Sequence, residues 1–213
     1  MSTASAVPIS QAAIVGGLRR LGLAPGDAVE VHSSCRSLGP VAGGAATVIA
    51  ALMEAVGPQG AILMSAYPVT LPLPLTEDDR ARGIIAKVRM LGEEDEGPTG
   101  MGIVADEFRR RSDTVLGRGS HRVCAWGRDA AVHSRGYEHL LAIGGWVLLI
   151  GVDIHRCSSM HIAEDRAGVP ARITGIFRPP ADVRRDYPAD QWYLQYGTAP
   201  ADAWGRVQEE AQQ

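Results

Sequence analysis

The chain predicts an α/β fold with an at least partly parallel sheet, and three observations carry that expectation. Short runs rich in Val, Ile and Leu, namely AVEVH (residues 28–32), GAILMSAY (60–67) and GWVLLIGV (145–152), read as buried strands. Segments of helical period lie between them. Gly- and Ser-rich turns follow the first strand, where such folds place ligands.

The elements follow in order. Ala13, Ile14, Leu18 and Leu21 recur at helical spacing behind a capping Ser10, and Pro25-Gly26 ends the run. The alternating AVEVH strand leads through a loop at 33–44 into an Ala-rich helix at 45–56. GAILMSAY is the next buried strand. Residues 68–98 lose regularity and carry two acidic clusters, around Asp78-Asp79 and at Glu93 to Glu96. A stretch of that length reads as a lid, a binding loop or a small excursion. Helical pattern returns at 99–111, with Thr99 available as its cap. HRVCAWG (121–127) reads as a short strand, 128–143 as a helix broken near Gly136, and GWVLLIGV as a central strand. A further helix is expected from Ser158 or Ser159 to Gly168, and then an irregular tail ending in a weak helix. No repeat or linker divides the chain, so one domain over 1–213 is expected.

Composition narrows the function classes. At 213 residues, 46% hydrophobic and 21% charged, the chain suits a soluble globular protein. A net charge of −3 offers no basic footprint for nucleic acid. No run approaches the roughly 18–20 apolar residues of a spanning helix, and the first ten residues lack a signal peptide's basic flank and apolar core. Three cysteines, Cys35, Cys124 and Cys157, make no paired framework and fit a reducing cytoplasm.

The densest chemistry is HRCSSMHIAED, residues 155–165, just after the most apolar run. If Ser158 caps a helix, His161 falls in its first turn and Glu164 at i+3 on the same face. A helix amino terminus disfavours imidazolium, which suits a general base. A hydroxyl could then serve a developing anion and a carboxylate could orient the ring. Ordinary capping by Ser-Ser explains the same residues, as does a metal site on His155, Cys157 and His161, although that spacing matches no common zinc pattern. The earlier loop, VHSSCRSLGPVAGG, offers the hydroxyls of Ser33 and Ser34 and, through Gly43-Gly44, close backbone approach for a ligand. It is neither a Walker loop nor a dinucleotide fingerprint.

In this order and at these intervals, VHSSCRSLGPVAGGAATVI, PTGMGIVADEFRRR and VLLIGVDIHRCSSMHIAED resemble the antibiotic N-acetyltransferase family typified by aminoglycoside 3-N-acetyltransferases. The resemblance covers most of the chain from Leu21 to about Ala167. It implies a three-layer α/β sandwich distinct from the GCN5-related fold. The R-x-x-G-x-A match of that other superfamily, Arg19 to Ala24, here closes a helix instead of opening one.

The implied activity is acetyl transfer from acetyl-CoA to an aminoglycoside amine without a metal, by direct transfer in a ternary complex. His161 matches the family's base, Ser158 the position of a frequent threonine, and Glu164 the motif's glutamate. His32, Ser33, Ser34, Cys35, Val41, Gly43 and Thr47 match the positions that face pantetheine and acetyl. Candidate holders of a polycationic sugar are Tyr67, Asp78, Asp79 and Glu94, with Glu96, Glu107 and Asp153.

The region RGSHRVCAWG departs from the family in lacking a proline. The chain is also shorter than family members, chiefly on the acceptor side, which suggests a small aminoglycoside of the kasugamycin kind and an unassigned acylated nitrogen. A homodimer is compatible with the sequence. The competing readings are a non-catalytic binder of aminoglycoside or acyl-CoA on the same fold, and a metal-dependent hydrolase.

Overall fold

The computed structural model describes residues 7–92, 95, 97–119, 121–166 and 179–197. These divide into two compact units, one of residues 1–67 and 101–158 and the other of 68–100 and 159–213, where a single domain was expected.

The first unit begins with helix α1 (Gln11–Arg20), whose Ser10 cap accepts a hydrogen bond from the Ala13 amide at 3.3 Å. Arg19 and Arg20 close it, where cations suit the helix dipole. Strand β1 (Ala28–Ser33) follows, then the short helix α2 (Cys35–Leu38), helix α3 (Gly44–Val56) and strand β2 (Ala61–Ser65). After residue 100 come α5 (Ile103–Arg109; α4, Glu77–Ala81, belongs to the second unit), strands β5 (Val115–Leu116) and β6 (Val123–Gly127), helices α6 (Ala130–His133) and α7 (Glu138–Ala142), and strand β7 (Trp146–Ile150).

The sheet is mixed, in the order β5-β6-β2-β1-β7. Strand β1 runs parallel to both β2 and β7, while β6 is antiparallel to β2. Two expectations change here. Among the described residues GWVLLIGV forms an edge strand, not a central one, and its Trp146 and Val147 are exposed. The cap of α5 is Gly102, whereas Thr99 is buried upstream of it.

Side chains alternate across a strand, so β1 serves two layers. Val29 and Val31 join Ile62, Met64 and Cys124 in a core with Leu18 of α1, Val48, Ile49 and Leu52 of α3, and Phe108 of α5. Each aliphatic side chain so buried contributes ~1.5–3 kcal/mol. The intervening residues Glu30 and His32 face the opposite side, and both are buried. There α6 and α7 pack against the sheet, which makes helix, sheet and helix the three layers. The register Glu30↔Leu63 sets Ser65 beside His32 on that same face.

The second unit corrects the reading of residues 68–98 as irregular. They form strand β3 (Val69–Pro72), helix α4 (Glu77–Ala81) and strand β4 (Ile84–Met90). With strand β8 (Trp192–Tyr196) they build an antiparallel sheet in the order β3-β4-β8. Helix α8 (His161–Arg166) and helix α9 (Ala181–Asp186) complete the described part of this unit.

Candidate functional site

The carboxyl ends of three parallel strands converge in the first unit. Strand β1 ends at Ser33, and the Ser34 amide donates to the Ile150 carbonyl at the end of β7 at 2.9 Å. The loop after β1 carries most of the positions expected to meet a cofactor. Ser33, Ser34, Cys35, Val41 and Thr47 are half-buried, and Gly43 is exposed. Gly43 turns into α3 with φ 83°, and a Cβ there would stand 2.5 Å from Thr47 Oγ1. The Thr47 hydroxyl donates to the Ala42 carbonyl at 2.6 Å, which ties the loop to the helix. His32 sits deeper than its neighbours, at 9% exposure.

Behind the loop runs a buried chain of hydroxyls. Ser65 Oγ donates to Ser158 Oγ at 2.7 Å and lies 2.7 Å from the Tyr137 hydroxyl. Ser65 has one hydroxyl hydrogen, already directed at Ser158, so Tyr137 donates to Ser65. Ser158 Oγ therefore accepts from Ser65, and Ser158 is itself a hydrogen-bond partner of Tyr137, so the three hydroxyls close on one another. Burial, followed by the nearby Glu30, pushes the Tyr137 phenol well above its ordinary range, so it remains a donor at any working pH. Tyr137→Phe is expected to cost about 1 kcal/mol, a fall in Tm of about 2–4 °C, and to leave Ser65 free to turn away from Ser158. A thermal melt checks the first effect and the kcat of the same variant checks the second.

The backbone of Ser158 meets the other end of the network, its amide pointing at His32 Nε2 at 3.3 Å. Glu30 Oε1 lies 2.5 Å from the same ring nitrogen. Glu30, His32 and Cys157 place ligand-type atoms within 4.8 Å of one another. Two atoms bound tetrahedrally to one zinc at ~2 Å stand roughly 3.3 Å apart. The shorter Glu30–His32 separation is thus that of a hydrogen bond.

The opening motif differs in detail from its expected form. Ser158–Met160 is a 3₁₀ turn and α8 begins at His161, so Ser158 engages Ser65 where a helix cap was expected. His161 opens α8 half-buried in the second unit, and Glu164 lies on the same helix with its side chain outside the described ones. In the metal reading, His155 stands exposed and Cys157 buried.

Among the acceptor candidates, Asp79 is fully buried, with its carboxylate taken by Lys87, the Tyr187 hydroxyl and the amide of Thr76. That is a structural use of the side chain, which explains why an acidic cluster need not face a ligand. Asp78 is exposed and pairs with Arg82 at 3.6 Å. Tyr67 packs edge-on against His121, ring centroids 5.0 Å apart. Glu107 is half-buried and Asp153 exposed, while Glu94 and Glu96 lie outside the described residues. Sequence reasoning missed Glu30, Ser65 and Tyr137. The available signal was one carboxylate between valines in a strand that has neighbours on both sides.

Comparison with solved structures places this architecture in a defined class. AAC-IIIb in binary complex with CoASH shares the fold at TM-score 0.61 and 22% identity, over 77% of this chain and 67% of that one. YokD from Bacillus subtilis aligns at TM-score 0.61 and 28% identity, over 74% of this chain and 71% of its own. Sisomicin-bound AAC-VIa aligns at 0.57 and 25%, over 73% and 64%. The class is thus the α/β fold of aminoglycoside acetyltransferases.

Residues 31–204 match the family described as aminoglycoside 3-N-acetyltransferase, and the chain belongs to that family. Curated relatives include aminoglycoside N(3)-acetyltransferase III of Salmonella sp, 28% identical over 82% of this chain and 67% of that protein. The type III enzyme of Acinetobacter baumannii is 28% identical over 74% and 61%, and the type VIII enzyme of Streptomyces fradiae 28% over 83% and 68%. The chain thus spans about two thirds of the length of these relatives. Among the described residues no helix is long and apolar enough to cross a membrane.

Proposed function

We propose that the protein transfers an acetyl group from acetyl-CoA to an amino group of an aminoglycoside, by direct attack within a ternary complex. The observation that carries this reading is the hydroxyl chain ending at Ser158, in a chain of this family. Tyr137 and Ser65 hold the Ser158 hydroxyl in place, and from there it serves an oxygen that gains charge.

An aminoglycoside amine is a cation at neutral pH and has no lone pair to attack with. His161 removes the proton, and the nitrogen then adds to the thioester carbonyl carbon. The oxyanion of the tetrahedral intermediate accepts from Ser158. Its collapse breaks the C–S bond, and the CoA thiolate takes up a proton. Glu164 or Asp153 orients the base. His32, Ser33, Ser34, Cys35, Val41, Gly43 and Thr47 border the pantetheine arm, and Tyr67, Asp78, Glu107 and Asp153 supply aromatic and acidic contacts to the sugar. Acetyl-CoA is drawn from the cytoplasm, which is where the reaction belongs.

The test is release of CoA thiol from acetyl-CoA across an aminoglycoside panel that includes a two-ring kasugamycin-like compound, with mass spectrometry locating the added acetyl. Stoichiometric thiol release and a mono-acetylated product are expected. Calorimetric affinity for ligands with no acetylated product would replace the enzyme with a binding protein.

A further inference from the structure

The two edges of the five-stranded sheet differ. One edge, β5, is only two residues long, which leaves little backbone for another chain to pair with. The other, β7, has five residues, WVLLI, and pairs with β1 without a break from Trp146 to Ile150. Among the described residues its outer side meets no strand. A regular apolar edge of this kind is a template for pairing, and proteins usually blunt one with a lysine, a proline or a bulge. WVLLI carries none of these. Trp146 is instead 51% exposed and Val147 40%. Ile143, exposed just upstream, lines a cavity of about 240 Å³ together with Trp146.

The charged residues at the two ends of β7 decide what covers this edge. At its amino end, Asp27, Arg128 and Asp129 line the cavity beside Trp146. Arg128 and Asp129 approach each other only to 3.9 Å and are both exposed, so each can take another partner. At its carboxyl end, Asp153, His155 and Arg156 are exposed on the turn that follows the strand. Pairing two β7 strands antiparallel joins these unlike ends. With Leu148 opposite its own copy on a two-fold axis, Trp146 would face Ile150 of the other chain. Arg156 of each chain would then run towards Asp129 and the Trp146 indole of the other, and Asp153 towards Arg128. One surface thus supplies both its own apolar centre and its own opposite charges, as a two-fold interface requires. A parallel pair would set like ends together.

The geometry points to β7 as the seam of a homodimer, in which two copies of this chain pair their β7 strands antiparallel about a two-fold axis and join their sheets into one. The inference does not depend on the acetyl-transfer reading. It bears on the candidate site all the same, because the Ser34 amide donates to the Ile150 carbonyl and the Ser37 hydroxyl to the Gly151 carbonyl, each at 2.9 Å. The loop after β1 is thus fastened to one end of the seam.

Sedimentation of the full chain over a concentration series tests it. The wild type should reach twice the chain mass at the upper end of the series. Val147→Lys puts a cation on the seam of both copies and should leave a monomer at every concentration, with its far-ultraviolet spectrum unchanged. Arg156→Gln and Asp129→Asn should each raise the dimer dissociation constant about fivefold, because the axis repeats the pair. Asparagine is chosen at 129 because it tolerates the left-handed backbone there, φ 56°. The double variant should be no weaker than either single one, the signature of residues that touch. A wild type that stays monomeric throughout overturns the proposal, and uniformly slow hydrogen exchange along its β7 would then mean that the edge is covered from within the chain. A dimer that survives Val147→Lys also overturns it, as do losses at 156 and 129 that simply add.

Discussion

Replacing His161 by alanine is expected to lower kcat by about 10²–10⁴-fold, the range typical of a positioned general base, while leaving Tm and CoA binding close to wild type. The substrate amine is an ammonium ion at neutral pH, and without a base only its small deprotonated fraction can attack. His161 is half-buried at the first position of α8, outside the main hydrophobic core, so its removal leaves no large cavity. Two measurements check the assignment: steady-state CoA release, and its recovery by added imidazole. The fall should shrink as pH rises, because the free amine becomes its own nucleophile. A variant that turns over at the wild-type rate would assign the proton to another group.

The contrast with Ser158 is informative. A base is lost with its side chain, whereas Ser158→Ala removes one hydroxyl whose two neighbours, Ser65 and Tyr137, still pair with each other. Ser158→Ala is therefore expected to be a smaller perturbation than His161→Ala.

Much of the first unit was legible because its signals are local. Ser10 caps α1 where expected, AVEVH forms β1 to within a residue, and the chain breaks at Gly136 between α6 and α7. Less was legible wherever pairing is distant. Strand β4 reads as a loop because one of its two partners, β8, lies about 100 residues further on, and neither alternates cleanly enough to be recognised alone. GWVLLIGV reads as central because it is the most apolar run, yet among the described residues one of its sides has no strand partner in the sheet.

The candidate site divides in the same way. His32 and the 33–47 loop were expected from residue type and family resemblance, and they lie at the carboxyl end of β1. The face on which Glu30, Ser65 and Tyr137 meet depends on the β1–β2 register and on where α7 begins, neither of which spacing can supply. Alternation alone would put Glu30 in water. Parallel neighbours and covering helices bury both faces of β1, so the same pattern has the opposite meaning.

The largest stability effect is expected at Asp79, which sequence reasoning had assigned to substrate. Asp79 caps α4 reciprocally with Thr76, receives the Tyr187 hydroxyl at 2.6 Å and pairs with Lys87. Burial alone would raise its carboxyl, but the hydrogen bonds from Lys87, Tyr187 and Thr76 outweigh that and hold it far below the ordinary range. Asp79→Ala would strand the Lys87 ammonium, 10% exposed, in a site built for a pair. A loss of about 3–5 kcal/mol follows, a Tm lower by roughly 6–20 °C if the chain unfolds in one transition. Adding Lys87→Met should restore much of it, because the desolvated charge is then gone as well. The pH dependence has a definite sign. A carboxyl depressed in the folded state stabilises fully above its unfolded value, about 3.9. The contribution drains away as pH falls below that point towards the folded value. Melting curves from pH 7 down to pH 3 should show the wild type beginning to lose this increment at the acid end while Asp79→Ala, already without it, declines less steeply. Equal slopes for the two proteins would show that the pair carries none of the acid sensitivity.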